Sequence, residues 1–454
     1  MPSALLFIGI TFLLILEGAL TARLILRTNH SLLLGSLGLP VSAFTNVLVV
    51  FTWTIFGVAL TPLSLIGAHL IITVLLATVN RRTSTPYEKN ELLVLPRAEC
   101  PLLWERGRIV PIICCLLIGT TVISSFAHAV LLPTFQYDSA TNWTMRSEIS
   151  FVDRHIAFDP TEVRGMAKPQ YPFLFHALQI TANQGQSTWN DTAANTILWL
   201  LSITSFLGLF LILRKLTLST GALVTLTLIL GIPLLSLHLG QGYADITLTQ
   251  ELLLSLACLF VWVRTKENRW LLFSAIIVAS GVWTKSEGLL FGFIPWLLVI
   301  AGVALINRTQ KKYSMISGLI ALGLSLPWQL FAWSRGLLLT PHSSDTLIGF
   351  HREGLREAFF GLFDRGSFGI VWYALIVAIP LMMVKLRTTE KSERAELLPL
   401  MWGLIILAEI LFIYLFTPNV RFLLNAESYY RQMMIPAAML ILSAGAWFSK
   451  QKNR

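Results

Sequence analysis

Stretches of about twenty consecutive apolar residues recur along the whole of this 454-residue chain, and no other feature restricts its fold so severely. A hydrocarbon layer of about 30 Å takes ~20 residues of helix to cross. Inside that layer no water satisfies backbone N–H and C=O groups, so only helices or a closed barrel can span it. A barrel would show alternating segments of about 10 residues with a polar inward face. These runs are instead continuous and rich in Leu and Ile, and the sequence reads as an all-α, polytopic membrane protein. A composition 55% hydrophobic and only 13% charged excludes a set of soluble domains, although the length would allow them.

Thirteen spans are expected, near 3–22, 33–58, 60–79, 109–131, 196–213, 218–238, 245–263, 270–284, 288–306, 314–334, 367–384, 397–416 and 433–448. The first run has no basic residues before it and is interrupted by Glu17, so it reads as a span and not a secretion signal. Every second connection is basic, including Arg81/Arg82, Arg214/Lys215, Arg264/Lys266/Arg269 and Arg308/Lys311/Lys312. Lys and Arg are held on the cytoplasmic side during insertion, so the net charge of +10 is a topology signal and not a nucleic-acid footprint. The N-terminus is expected outside an inner (plasma) membrane and the C-terminus in the cytoplasm. Long extracytoplasmic connections then fall near 132–195, 335–366 and 417–432. Three units follow: an N-terminal three-span unit over 1–80, a polar cytoplasmic linker over 81–108, and a ten-span unit over 109–449 that holds every long outer loop. Two stretches, PQYPFLFHALQITAN and FHREGLREAFFGLFDRG, read as amphipathic helices lying in the membrane surface. The four cysteines, Cys100, Cys114, Cys115 and Cys258, lack disulfide or zinc spacing and read as packing residues.

Charged groups at membrane depth cost at least ~2.5 kcal/mol each on insertion scales, so those that persist face cavities or partners. Asp138 stands where the chain leaves the fourth span. The turns HLGQGYADITL and VWTKSEGLLF set His238, Asp245, Lys285 and Glu287 at the outer ends of spans. The segment TPNVRFLLNAESYYRQMMIP brings Arg421, Glu427, Tyr429, Tyr430 and Arg431 to the start of the last span. All belong to one face. Carboxylates facing Lys and Arg there suit displacement of a phosphate leaving group from a lipid. The cations hold the phosphate, and a carboxylate takes the proton of an incoming hydroxyl. One base serves a single inverting displacement, whereas retention takes a second carboxylate as nucleophile. Plainer readings stand beside these. Asp245 could cap a helix, Lys285 and Glu287 could be a simple ion pair, and Arg431 could snorkel to headgroups. His155 and His176 read as hydrogen-bonding residues before metal ligands. A divalent metal stays open, because the same carboxylates would hold it.

The ordered set YDSATNW, RSEISFVDRHI, PQYPFLFHAL, GYADITL, SGVWTKSEGLLF and YYRQMMIP resembles the membrane-embedded GT-C glycosyltransferases. Within these it is similar to the bacterial polyprenyl-phosphate-sugar-dependent enzymes related to protein O-mannosyltransferases and lipid A aminoarabinose transferases. The resemblance implies a GT-C-like fold over roughly 109–440 and a catalytic Asp138, with Asp245 as the acid of the second motif. It also implies Lys285 and Glu287 in a KxEG element and Arg431 opening the last helix. Tyr171, His176, Arg421 and Tyr430 complete the expected substrate-binding set. It implies an isoprenoid-phosphate sugar as donor, extracytoplasmic transfer with inversion, and a glycan, lipid or protein hydroxyl as acceptor; nucleic acid is not a partner. Two departures stand out: Ser139 follows Asp138 where the mannosyltransferases usually carry a second acid, and the three N-terminal spans are additional. The rival reading is a transporter or lipid-linked sugar flippase, which should show paired halves and polar groups near the bilayer midplane. A membrane scaffold is a third; it would not need cations and carboxylates converging under a cap.

Overall fold

The computed structural model describes residues 2–83, 109–158, 171–337, 349–388, 398–425 and 428–448, and these are helical throughout their ordered elements. The expected linker beyond residue 83, Cys100 and Glu427 lie outside the described residues. Helix is present at every expected span, though not always as one continuous helix. The N-terminal unit comprises α1 (Pro2–Leu26), α2 (Ser31–Ile55) and α3 (Pro62–Arg82), and α4 (Ile109–Leu131) follows. The outer connection after α4 carries α5 (Met145–Asp153) and α6 (Leu174–Ala182). Next come α7 (Asp191–Leu213), α8 (Ser219–Leu230), α9 (Pro233–His238), α10 (Ala244–Thr265) and α11 (Asn268–Thr284). The remainder is α12 (Ile294–Ile306), α13 (Lys311–Ser334), α14 (Arg352–Leu362), α15 (Arg365–Phe368), α16 (Val371–Thr388), α17 (Leu398–Phe416), α18 (Val420–Leu424) and α19 (Ser428–Phe448). Among the described residues nine helical segments are long and apolar enough to cross a membrane, so length and composition alone do not reach the expected thirteen. The expected span over 218–238 is two helices. Gly231 ends α8, and Pro233, which has no N–H to give, opens α9 at its first position.

The central helix is α10, buried at every residue from Ala244 to Val263. Helices α7, α11 and α19 pack around it. Glu251 on α10 accepts from Ser280 Oγ at 2.5 Å and Thr284 Oγ1 at 2.7 Å on α11, and Ser255 bonds Ser274 at 2.7 Å. These bonds fix the register of α10 against α11, whose ends carry Asp245 and Lys285. The N-terminal unit shares the core of the rest: Leu33, Leu37 and Val41 of α2 sit in one cluster with Leu209 and Ile212 of α7. Helices α1 and α2 touch backbone to backbone, since a Cβ added at Gly18 would lie 1.8 Å from the Gly38 carbonyl oxygen. Small residues let helices approach in this way where lipid supplies no hydrophobic drive. A polar chain crosses the same unit. His69 on α3 meets Glu17 on α1 at 2.7 Å and Asn46 on α2 at 2.9 Å, and Asn46 Oδ1 also accepts from Thr181 of α6 at 2.9 Å.

The two expected surface helices differ. Every residue of α6 is buried, so it is a strut inside the outer cap and not a surface helix. The chain wraps it between α2, α5 and α7, which consumes both its faces. Helix α14 lies as expected with apolar side chains outward: Leu355 and Phe359 are exposed, while Gly354, Ala358 and Gly361 face the bundle. Its buried face must be small, because a Cβ at Gly354 would come within 2.8 Å of Val420.

The α1/α2 contact generates a direct test. Gly18→Ala is expected to cost about 2 kcal/mol, as overpacking against immovable backbone does. Gly9→Ala, with nothing within 4 Å of the added Cβ, should not. Thermal unfolding of the two variants in detergent checks the difference.

Candidate active site

Four separate parts of the chain deliver charge to one end of the bundle, and local backbone chemistry aims each of them. Asp138 immediately precedes a π-helical turn, Ser139–Thr144, in which the Met145 N–H reaches back to Ala140. Glu287 likewise precedes a second π-helical turn, Gly288–Phe293. Such widened turns are rare and occur often at functional sites. Ser139 is fully buried and donates to the Gln241 carbonyl at 2.5 Å, close also to that of Gly242 at 3.0 Å. This bond ties the loop of Asp138 to the turn that leads into Asp245. Gly242 makes it achievable, with φ +69° and no Cβ to meet the Ser139 hydroxyl. A carboxylate in place of Ser139 would face two carbonyl oxygens, so the missing second acid has a structural reason. Gly288 is equally constrained, since a Cβ there would lie 1.9 Å from the Gly281 carbonyl oxygen. Only glycine lets the chain fold back tightly enough after Lys285 to present it.

The charges alternate. Arg431 pairs with Asp138, and its other nitrogen lies 3.8 Å from Asp245. Lys285 Nζ bonds Asp245 Oδ1 at 2.8 Å and Glu287 Oε1 at 2.9 Å. Burial by itself would depress the Lys285 ammonium, but Asp245 and Glu287 overturn this and hold it above the ordinary amine range. Lys285 therefore stays charged at neutral pH, and its ion-pair stabilisation is lost only as pH rises through that elevated value. Asn142 donates to Asp138 at 3.2 Å, and the Arg431 guanidinium covers the Tyr243 ring at 5.0 Å. Gln432 donates to Glu287 Oε1 at 3.3 Å. Glu287 Oε2 and Gln432 Oε1 are buried acceptors with no donor.

These groups line a pocket of about 360 Å³. Of the residues expected from sequence, it brings together Asp138, Tyr171, Asp245, Lys285, Glu287 and Arg431. His176, Arg421 and Tyr430 do not line it. His176 is buried behind the wall: its Nδ1 meets Ser147 Oγ at 2.8 Å, and Ser147 donates to Gln179 at 2.6 Å. Burial keeps this imidazole well below its usual range, hence neutral, so Nδ1–H donates to the serine oxygen. Arg421 is exposed with its guanidinium over Phe422 at 4.8 Å, and Tyr430 stacks on Phe368. Sequence reasoning missed Asn142 and Gln432 as pocket residues. Asn142 stands one turn past Asp138, and Gln432 is next to Arg431, so helical continuation from the charged residues was the available signal. Trp143 lines the pocket and stacks flat on Tyr171, with centroids 5.1 Å apart and planes at 10°. Buried Arg146 holds Tyr171 in place through its carbonyl at 2.8 Å. Among the described residues no cluster of three or more His, Cys, Asp or Glu is arranged to hold a metal ion.

Residues 172–331 match the family model described as dolichyl-phosphate-mannose-protein mannosyltransferase. That segment includes Asp245, Lys285 and Glu287, whereas Asp138 and Arg431 lie outside it. No curated protein matches the chain. Among solved structures, ArnT from Cupriavidus metallidurans bound to undecaprenyl phosphate is similar, with a TM-score of 0.53 at 14% identity over 73% of this chain and 59% of that one. ArnT of the same organism in the apo state gives 0.51 at 15% identity, over 73% and 58% of the two chains. The chain therefore spans less than two thirds of ArnT's length, and it is a membrane protein of the GT-C glycosyltransferase fold.

The buried pair supplies a stability test. Lys285→Met leaves Asp245 with only the more distant Arg431, and a loss of about 3 kcal/mol is expected. Adding Asp245→Leu should recover only the part of the loss that Asp245 causes, because Glu287 still lacks its Lys285 partner. Unfolding temperatures of the single and double variants measure this.

Proposed function

We propose that this chain is an inverting glycosyltransferase that moves a sugar from a polyprenyl-phosphate carrier to a hydroxyl acceptor on the extracytoplasmic face of the inner membrane. The observation that carries this reading is the convergence of Asp138, Lys285 and Arg431, distant in sequence, on one pocket at the end of the helix bundle. At rest both cations are neutralised by carboxylates. A phosphodiester entering between Lys285 and Arg431 takes over part of those contacts, and the Asp138 carboxylate is released towards the acceptor. Asp138 accepts the hydroxyl proton as the acceptor oxygen bonds to the anomeric carbon. The bond from that carbon to the phosphate oxygen breaks, and its electron pair leaves on the phosphate, where Lys285 and Arg431 stabilise the charge. The products are an inverted glycoside and free polyprenyl phosphate.

The rest of the lining suits the two halves of such a donor. Glu287 Oε2 and Gln432 Oε1, both lacking donors, are placed to accept from sugar hydroxyls, and the Trp143/Tyr171 pair offers a flat aromatic wall. Phe291, Ile413 and Phe422 line the same pocket and give the first isoprene units an apolar surface. The fold shared with ArnT, a protein crystallised with undecaprenyl phosphate, supports a carrier of that class. His176 acts through Trp143 in this reading and does not contact substrate.

Purified protein incubated with a polyprenyl-phosphate sugar and a hydroxyl acceptor should release free lipid phosphate. Asp138→Asn should lower that release by about 100- to 10,000-fold while donor binding persists. Transfer by this variant at the parental rate means that another group is the base. Movement of the intact lipid-linked sugar across a vesicle membrane without release identifies a flippase instead.

A further inference from the structure

A second concavity runs along α12. It is a groove of about 820 Å³ between α12 and α13, and it shares no residue with the pocket. The chain leaves the active-site end after Glu287 through the π-helical turn Gly288–Phe293 and α12, so the last turn of α12 and the residues that follow belong to the opposite membrane face. Leu297, Ala301 and Leu305 form the stripe that α12 contributes at helical spacing, and Met315, Gly318 and Leu322 form the stripe from α13. The lined stretch from Phe293 to Leu305 is about 18 Å long at 1.5 Å per residue. One leaflet's hydrocarbon is about 15 Å deep.

Three features distinguish this groove from ordinary lipid-facing surface. Its far end is cationic, lined by the exposed Arg308 and Lys311. One turn inside Lys311, Ser314 is 5% exposed and lines the groove with a hydroxyl that has no hydrogen-bond partner. The floor is kept open by Gly318, where an added Cβ would already touch Leu297 at 3.4 Å. We propose that the groove binds an anionic glycerophospholipid of the leaflet opposite the active site. Its acyl chains lie along the Leu297 and Met315 stripes, its phosphate sits on Arg308 and Lys311, and an ester oxygen accepts from Ser314 one turn deeper. Basic pockets between helices on the inner face hold anionic headgroups in this manner. A choline headgroup would set its own cation against Arg308 and Lys311, so charge discriminates between lipids while the apolar groove does not.

The test is native mass spectrometry of the full chain, titrated with phosphatidylglycerol or phosphatidylcholine of identical acyl chains. At about fivefold for each cation, a preference of roughly 25-fold for one tightly held phosphatidylglycerol is expected. Arg308→Gln/Lys311→Gln should abolish that preference. Gly318→Leu should release both lipids, and Ser314→Ala, the mildest change, should weaken phosphatidylglycerol severalfold. Equal retention of both lipids by the parent protein overturns the proposal, as does a preference that survives in the double variant. Displacement of the phosphatidylglycerol by inorganic phosphate overturns it too, since the site would then recognise an anion and no lipid. None of these readouts depends on sugar transfer.

Discussion

An alternating row of five charges, Asp138, Arg431, Asp245, Lys285 and Glu287, governs the outer end of this molecule. Removing a single ion from water costs several kcal/mol even after relaxation, so the buried Asp245 and Lys285 are not tolerable without their neighbours. The backbone around it is bent to that requirement. Gly288 folds tightly on α11 to bring Lys285 and Glu287 forward, Ser139 fastens the Asp138 loop to the carbonyls before Asp245, and two π-helical turns start beside the outermost acids. Three carboxylates share two cations, which leaves the row short of positive charge. In the proposed reaction an incoming phosphate would compete with carboxylates for Lys285 and Arg431, and only a ligand with further favourable contacts would win that competition.

Much of this was legible in the sequence, because membrane helices announce themselves through runs that water cannot penetrate and charges at their ends have few plausible positions. The helix expected at each apolar run is present, and Asp138, Asp245, Lys285, Glu287, Arg431 and Tyr171 do share a pocket. Less legible was everything decided by what a helix meets after folding. The amphipathic look of the α6 segment suggested a surface, yet α2, α5 and α7 enclose it. The family resemblance set His176 at the substrate, but it supports the rear of Trp143. The break at Pro233 and the π-helical turns arise from backbone crowding that apolar counting does not register.

The wall of the pocket is layered, and the layers explain why so many polar residues of the cap are buried. Tyr171 lies on Trp143, Trp143 lies over His176 with planes at 24°, and Ser147, itself donating to Gln179, meets the imidazole from behind. Arg146 threads beneath and bonds the carbonyls of Ala157 and Tyr171. Such a stack has few alternative rotamers, which suits the flat wall that the proposed sugar donor would meet.

Helix α6, which carries that stack, is also the far anchor of the Glu17, His69, Asn46 and Thr181 chain. Glu17 sits within the first apolar helix and is wholly enclosed. A lone acid there would resist leaving the translocation channel, and its partner His69 emerges about fifty residues later in synthesis. The first three helices are therefore expected to reach lipid together, so that the acid and its partner enter as a pair. The order of insertion would then follow from one buried contact, that between Glu17 and His69.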